Sequence, residues 1–247
     1  MKKSLVSIFE GIYPLIIYYA IISFLSRGLL HFSIFRGMST TLLTMIIKIL
    51  CIPFMYYFYS MARHTKKNRK GNDVITSVIM SILLGFLFCM GLNYLVKVLN
   101  LINYSPAYKK IISVATDDKL IIRIIAACIV APILEELVYR GILFYKLNLA
   151  LPKILAILIS AAVFGVAHFN LVQGVYAGLL GVVFAIIYDK TGDLWMSILA
   201  HATANAFALF SGYIPIMNVI NASTLYTHIV GIAALFIGIF MLIKWNK

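Results

Sequence analysis

Glu135 and Glu136 stand side by side in the apolar stretch P-I-L-E-E-L-V-Y-R-G-I-L, residues 132–143, of a chain with only eight acidic residues. Glu136 and Arg140 are four positions apart. On a helix they share a face with the carboxylate N-terminal, the favourable order for an ion pair. Glu135 is turned about 100° from Glu136 and can point elsewhere. One carboxylate can therefore be neutralised by Arg140 while its neighbour stays available for chemistry, and spacing alone leaves the two roles interchangeable. Phe164 and His168 in F-G-V-A-H, and His201 and Asn205 in H-A-T-A-N, repeat the four-residue spacing on two further segments. Ionisable groups inside apolar spans are costly unless paired or hydrated, so each is a functional candidate. Lys48, alone in its segment, is expected to snorkel or to pair with Glu10.

Two histidines, a carboxylate and an amide in a partly dry cavity suit the activation of water, with Glu135 or a histidine as general base. His201 and Asn205 can donate hydrogen bonds to a developing oxyanion. The implied reaction is hydrolysis of an amide bond. The same residues allow a metal version. Glu135, His168 and His201 form the two-histidine, one-carboxylate set of a catalytic zinc site with a position open for water. The H-E-x-x-H signature is absent, and spacing does not separate zinc from a metal-free glutamate mechanism. Gly174 and Gly178, with Gly181 following, predict close packing of their span against a neighbour.

These residues need helices to hold them in lipid. The chain of 247 residues is 63% hydrophobic and 12% charged, with a mean hydropathy of +1.00. In a soluble domain about a quarter of residues are charged. The composition predicts an all-α, polytopic membrane helix bundle, because its apolar runs approach the roughly 20 residues of a membrane-crossing helix. Eight spans are expected, near 5–26, 38–60, 74–96, 119–145, 153–169, 172–188, 194–212 and 225–244. The segment 97–118 reads as a loop or interfacial helix. The organisation is then N-terminal helices and interfacial loop over 1–118, a catalytic helical core over 119–212 and a C-terminal helix over 213–247. The opening M-K-K followed by a long apolar run predicts a retained first span in place of a cleaved signal.

Basic residues predict that both termini are cytoplasmic, the run R-H-T-K-K-N-R-K at 63–70 carrying most of the asymmetry. Membrane loops account for the net charge of +13 without any nucleic-acid partner. Cys51, Cys89 and Cys128 are scattered through apolar segments and are expected to be structural thiols. A depth count puts Glu135 about 22 Å along its helix and His201 about 12 Å in from the opposite direction, so the two levels agree. His168, about 22 Å from Lys153, comes out about 10 Å too far unless its helix tilts or starts outside the membrane.

Together the three stretches resemble the E-E-x-x-x-R, F-x-x-x-H and H-x-x-x-N motifs of the CAAX protease and bacteriocin-processing family, also called the Abi family. All three occur in the family's order. The resemblance implies an intramembrane endopeptidase in which Glu135 activates water together with His168. Glu136 is then held by Arg140, and His201 with Asn205 forms the oxyanion site or completes a metal shell. It further implies a hydrophobic or amphipathic peptide substrate, membrane lipids as surroundings, a bacterial plasma membrane location, and a role in maturing a peptide pheromone or bacteriocin. Substrate selection would fall to the first 118 residues, which match no motif. Two rival classes use the same residues: a non-catalytic immunity or scaffold protein that binds a hydrophobic peptide, and a proton-coupled transporter.

Overall fold

The computed structural model describes residues 2–29, 32, 35, 37–62, 73–106 and 118–245. Among them every regular element is helical. Helices α1 (Lys2–Leu29), α2 (Thr40–Ala62) and α3 (Val74–Val98) come first. Helix α4 occupies residues 120–150, and α5 (Lys153–Val166), α6 (Leu171–Thr191), α7 (Leu194–Phe210), α8 (Pro215–Ala222) and α9 (Thr224–Lys244) follow. The basic run at 63–70 and Lys109 with Lys110 lie outside the described residues.

Among the described residues six helices, α1, α2, α3, α6, α7 and α9, are long and apolar enough to cross a membrane. Apolar side chains such as Phe9, Phe24, Phe236 and Ile243 point outward, as lipid contact requires. The chain is an integral membrane protein. The expected count of eight is not reached by length. Helix α5 has 14 residues and rises about 21 Å, short of a hydrocarbon core of roughly 30 Å. Helix α4 is irregular: π-helical turns over Ile125–Val130 and Leu137–Phe144 interrupt its α-helical segments. Such widened turns free backbone carbonyls and re-aim side chains, and they recur at functional sites.

Local chemistry sets the boundaries that matter for the site. Asn170 caps α6 by accepting from the Gln173 backbone N–H at 2.9 Å, and Asp193 caps α7 by accepting from Trp195 N–H at 3.1 Å. Between these caps, Gly192 ends α6 at φ 64°, a left-handed conformation that glycine adopts without strain. Outside the spans, the Asp118 carboxyl is held below the usual range by hydrogen bonds from the Ser39 and Thr41 hydroxyls, which ties the entry of α4 to that of α2.

Two apolar cores result. Ile47 and Met55 of α2 pack with Leu134, Val138 and Phe144 of α4 and Phe164 of α5. Leu84 and Phe88 of α3 pack with Leu180 and Phe184 of α6 and Ala200 and Ala204 of α7. Small residues permit the tightest approaches. A methyl at Gly165 of α5 would stand 2.5 Å from the Gly174 carbonyl oxygen of α6, and one at Gly85 of α3 would overlap the Ala200 carbonyl oxygen of α7. Methyls at Gly174 and Gly178 would make only ordinary contacts, so the closeness of α5 and α6 is demanded by Gly165 more than by the G-x-x-x-G pair.

Gly85→Ala is expected to destabilise the bundle by about 1–3 kcal/mol through backbone overlap. Gly28→Ala, whose methyl meets nothing within 4 Å, should be neutral or stabilising. Thermal unfolding of the two variants in detergent checks this, and equal midpoints would contradict the α3–α7 contact.

Candidate functional site

Glu136 is fully buried and is held from three sides. Arg140 Nη1 donates to its Oε1 at 2.8 Å from one turn further along α4, and His201 Nδ1 of α7 donates to the same oxygen at 2.9 Å. Ser197, one turn before His201, donates to Oε2 at 2.5 Å. A buried carboxylate is tolerable only with such partners. Arg140 is equally dry, and its guanidinium carbon lies 4.4 Å from the Phe164 ring centroid and 5.4 Å from that of Phe184. The aromatic faces partly replace water for a cation. A methyl at Gly181 would come 2.9 Å from Arg140 Nη2, so this glycine leaves room for the guanidinium.

Glu135, next along α4, points away from this cluster into a cavity of about 810 Å³. Its Oε2 lies 3.9 Å from His201 Nε2, while its Oε1 accepts from Lys48 Nζ of α2 at 2.7 Å. Lys48 therefore pairs across helices with Glu135. Glu10 is taken instead by Lys146, at 2.7 Å. The pairing follows from geometry: α1 packs on the 145–150 end of α4, so Lys146 reaches Glu10 first. Helix periodicity cannot show which carboxylate on another helix a lone lysine will meet.

His168 lies beyond the last turn of α5, in the bend that leads to α6. The helix ends at Val166, so His168 does not continue along its axis. His168 Nδ1 donates to the Phe164 carbonyl at 2.9 Å, which leaves Nε2 as the available nitrogen. Phe169 follows at φ 54°, and Asn170 Nδ2 donates to the His168 carbonyl at 2.9 Å. Phe164 also stands against His168, His201 and Tyr139, with ring centroids 5.0, 5.8 and 4.9 Å away. Phe184 stacks on His201 at 4.8 Å. Asn205 lines the cavity and donates through Nδ2 to the Ala127 carbonyl at 2.7 Å, satisfying an acceptor within the first π-helical stretch of α4.

The six residues singled out by spacing are thus brought together, Glu136 and Arg140 behind the cavity and Glu135, His168, His201 and Asn205 along it. Lys48, Ser197, Phe184 and Asn170 complete the arrangement. Of these, Asn170 carries a legible sign, a capping residue just after His168. Ser197 and Phe184 look like ordinary span residues in the sequence.

The donor types suit zinc, and both histidines have Nδ1 fixed by an acceptor, as metal-ligating histidines do. Among the described residues no three His, Cys, Asp or Glu side chains close on one point, and the Lys48 ammonium already neutralises Glu135 Oε1. The three cysteines are unpaired, with Cys51 and Cys89 buried.

Residues 117–207 match the family model described as type II CAAX prenyl endopeptidase Rce1-like. A stretch of 95 residues is 36% identical to the Bacillus subtilis protein named "Putative membrane peptidase YdiL", covering 38% of this chain and 39% of that protein. Over 113 residues the chain is 34% identical to the membrane-embedded CAAX protease MroQ of Staphylococcus aureus, covering 42% of this chain and 44% of that one. The matched stretch thus spans less than half the length of either relative. No solved structure matches the chain.

Arg140→Met leaves Glu136 buried with its main counter-charge removed, and such a break costs about 3–5 kcal/mol. The double variant Glu136→Gln, Arg140→Met removes both charges and should recover much of that loss. Unfolding in detergent measures both, and equal losses in the single and double variants would refute the pairing.

Proposed function

We propose, on the premise that residues 117–207 belong to the CAAX protease and Abi family, that this chain is an intramembrane endopeptidase acting on a membrane-associated peptide. The observation that carries this reading is the division between two adjacent carboxylates. Glu136 is locked by Arg140, Ser197 and His201, while Glu135 faces an open cavity with its Oε2 opposite His201 Nε2. A water between them would find an acceptor on Glu135 and a second polar partner on the imidazole. Geometry of this kind is what a general base requires.

In the proposed reaction Glu135 takes a proton from water as the water oxygen attacks the scissile carbonyl carbon. The carbonyl π pair moves to oxygen, giving a tetrahedral species. When it collapses, the C–N bond breaks and the proton on Glu135 passes to the leaving nitrogen. His168, with Nδ1 committed to the Phe164 carbonyl, offers Nε2 to the same water. Apolar walls, among them Phe164, Phe184 and Val172, suit a hydrophobic or amphipathic peptide entering from the lipid. Maturation of a peptide pheromone or bacteriocin is the biological setting we favour, in a bacterial plasma membrane with both termini cytoplasmic.

Glu135→Gln and His168→Ala are each expected to lower peptide cleavage by at least about 100-fold, with the protein still accumulating in the membrane. Comparative peptidomics of cells carrying wild type and Glu135→Gln checks this and identifies the substrate. Variants with undiminished biological effect would favour a peptide-binding immunity protein. Stoichiometric zinc in the purified protein, lost on His201→Ala, would replace the metal-free scheme.

A further inference from the structure

We propose that Lys48 is a catalytic residue of this hydrolysis: its ammonium stabilises the oxyanion that forms when Glu135 accepts the proton of water. The inference rests on the function proposed above.

Lys48 reaches the cavity from α2, outside residues 117–207 and outside all three motifs, and its Nζ lies 2.7 Å from Glu135 Oε1. The ion pair is not sealed, since the Lys48 side chain is 26% exposed and that of Glu135 13%. By contrast Glu136 and Arg140 are both at 0%. A pair open to the cavity leaves its cation able to meet a bound molecule.

Lys48 also has donors to spare. An ammonium carries three N–H donors, and among the described residues Lys48 engages one, to Glu135. Three polar groups of the motifs each spend one donor elsewhere. Asn205 has one N–H on the Ala127 carbonyl, His201 has Nδ1–H on Glu136 and His168 has Nδ1–H on the Phe164 carbonyl. Lys48 therefore keeps two N–H donors directly beside the base.

The charges of the proposed step balance around Lys48. In the resting site Lys48 faces one negative charge on Glu135. During attack the proton of water goes to Glu135 Oε2, which neutralises the carboxylate, and the carbonyl π pair places one negative charge on the substrate oxygen. The total charge is unchanged, but it moves from Glu135 to the oxyanion. A cation on a flexible four-carbon stem can follow it. On collapse the oxyanion re-forms C=O, the C–N bond breaks and the amine leaves with the proton held by Glu135, so the Lys48–Glu135 pair is restored. Lys48 would contribute the positive charge that a zinc ion supplies in metalloproteases.

The test uses full-length protein in proteoliposomes and a mixture of amphipathic peptides analysed by mass spectrometry. A peptide cut by wild type and spared by Glu135→Gln becomes the substrate, and its phosphinate analogue serves as an anionic mimic of the tetrahedral species. Lys48→Met should lower kcat about 100- to 1000-fold, the scale of losing an oxyanion donor, with KM changed less than about threefold. It should weaken phosphinate binding by a similar factor, and leave binding of the uncut peptide unchanged in the Glu135→Gln background. Lys48→Arg, which keeps the charge and guards against misfolding of the first variant, should retain at least a tenth of kcat and of phosphinate affinity. A kcat within tenfold of wild type in Lys48→Met would overturn the proposal. So would a kcat loss without weaker phosphinate binding, which would leave Lys48 as a positioning residue for Glu135. If Lys48→Met does not accumulate, inactive but folded Lys48→Arg would likewise overturn it. Absence of any cleavage by wild type would overturn the hydrolase reading and this inference with it, whereas an active wild type with an active Lys48→Met would overturn this inference alone.

Discussion

Two opposite charges without contact to water, on Glu136 and Arg140, set the constraint that the rest of the site obeys. The pair joins neighbouring turns of one helix, but it cannot be satisfied by that helix alone. Ser197 and His201 must arrive from α7, and Phe164 and Phe184 from α5 and α6, before the carboxylate and the guanidinium are both surrounded. One buried ion pair therefore fixes four helices relative to one another. Its removal by halves is costly because an isolated charge in an apolar interior has no substitute for water.

The locked pair in turn defines what Glu135 can do. Because adjacent residues on a helix point about 100° apart, holding Glu136 inward turns Glu135 towards α2 and the cavity. The His201 ring links the two environments, giving Nδ1–H to Glu136 and presenting Nε2 towards Glu135. A single imidazole is thus oriented by one carboxylate and aimed at the other. The same logic applies at His168, where the Phe164 carbonyl fixes the ring and the bend before α6 points it across the cavity.

Irregular backbone makes this convergence possible. The π-helical turns of α4 change the direction of successive side chains, and one of them leaves the Ala127 carbonyl for Asn205 to satisfy. The short α5 ends at the rim of the cavity, and polar backbone of a membrane protein is tolerated where it is capped or lines a cavity. Asn170 provides the cap and the cavity provides the opening. Gly165 and Gly181 make the remaining room, the first for a neighbouring backbone and the second for the guanidinium.

Composition and hydropathy determined the class, since a chain this apolar has no soluble alternative, and the four-residue spacings of Glu136 with Arg140 and His201 with Asn205 were already legible as helix faces. Those features depend on the helical repeat, which is local and periodic. The partner of Lys48, the end of α5 before His168 and the π-helical turns of α4 were decided only by tertiary structure. Each depends on which helix lies beside which, and at what height. Sequence periodicity gives the direction of a side chain around its own axis, but not the neighbour it meets. For that reason Lys48 looked like a snorkelling lysine, whereas packing of α2 on α4 put its ammonium on Glu135.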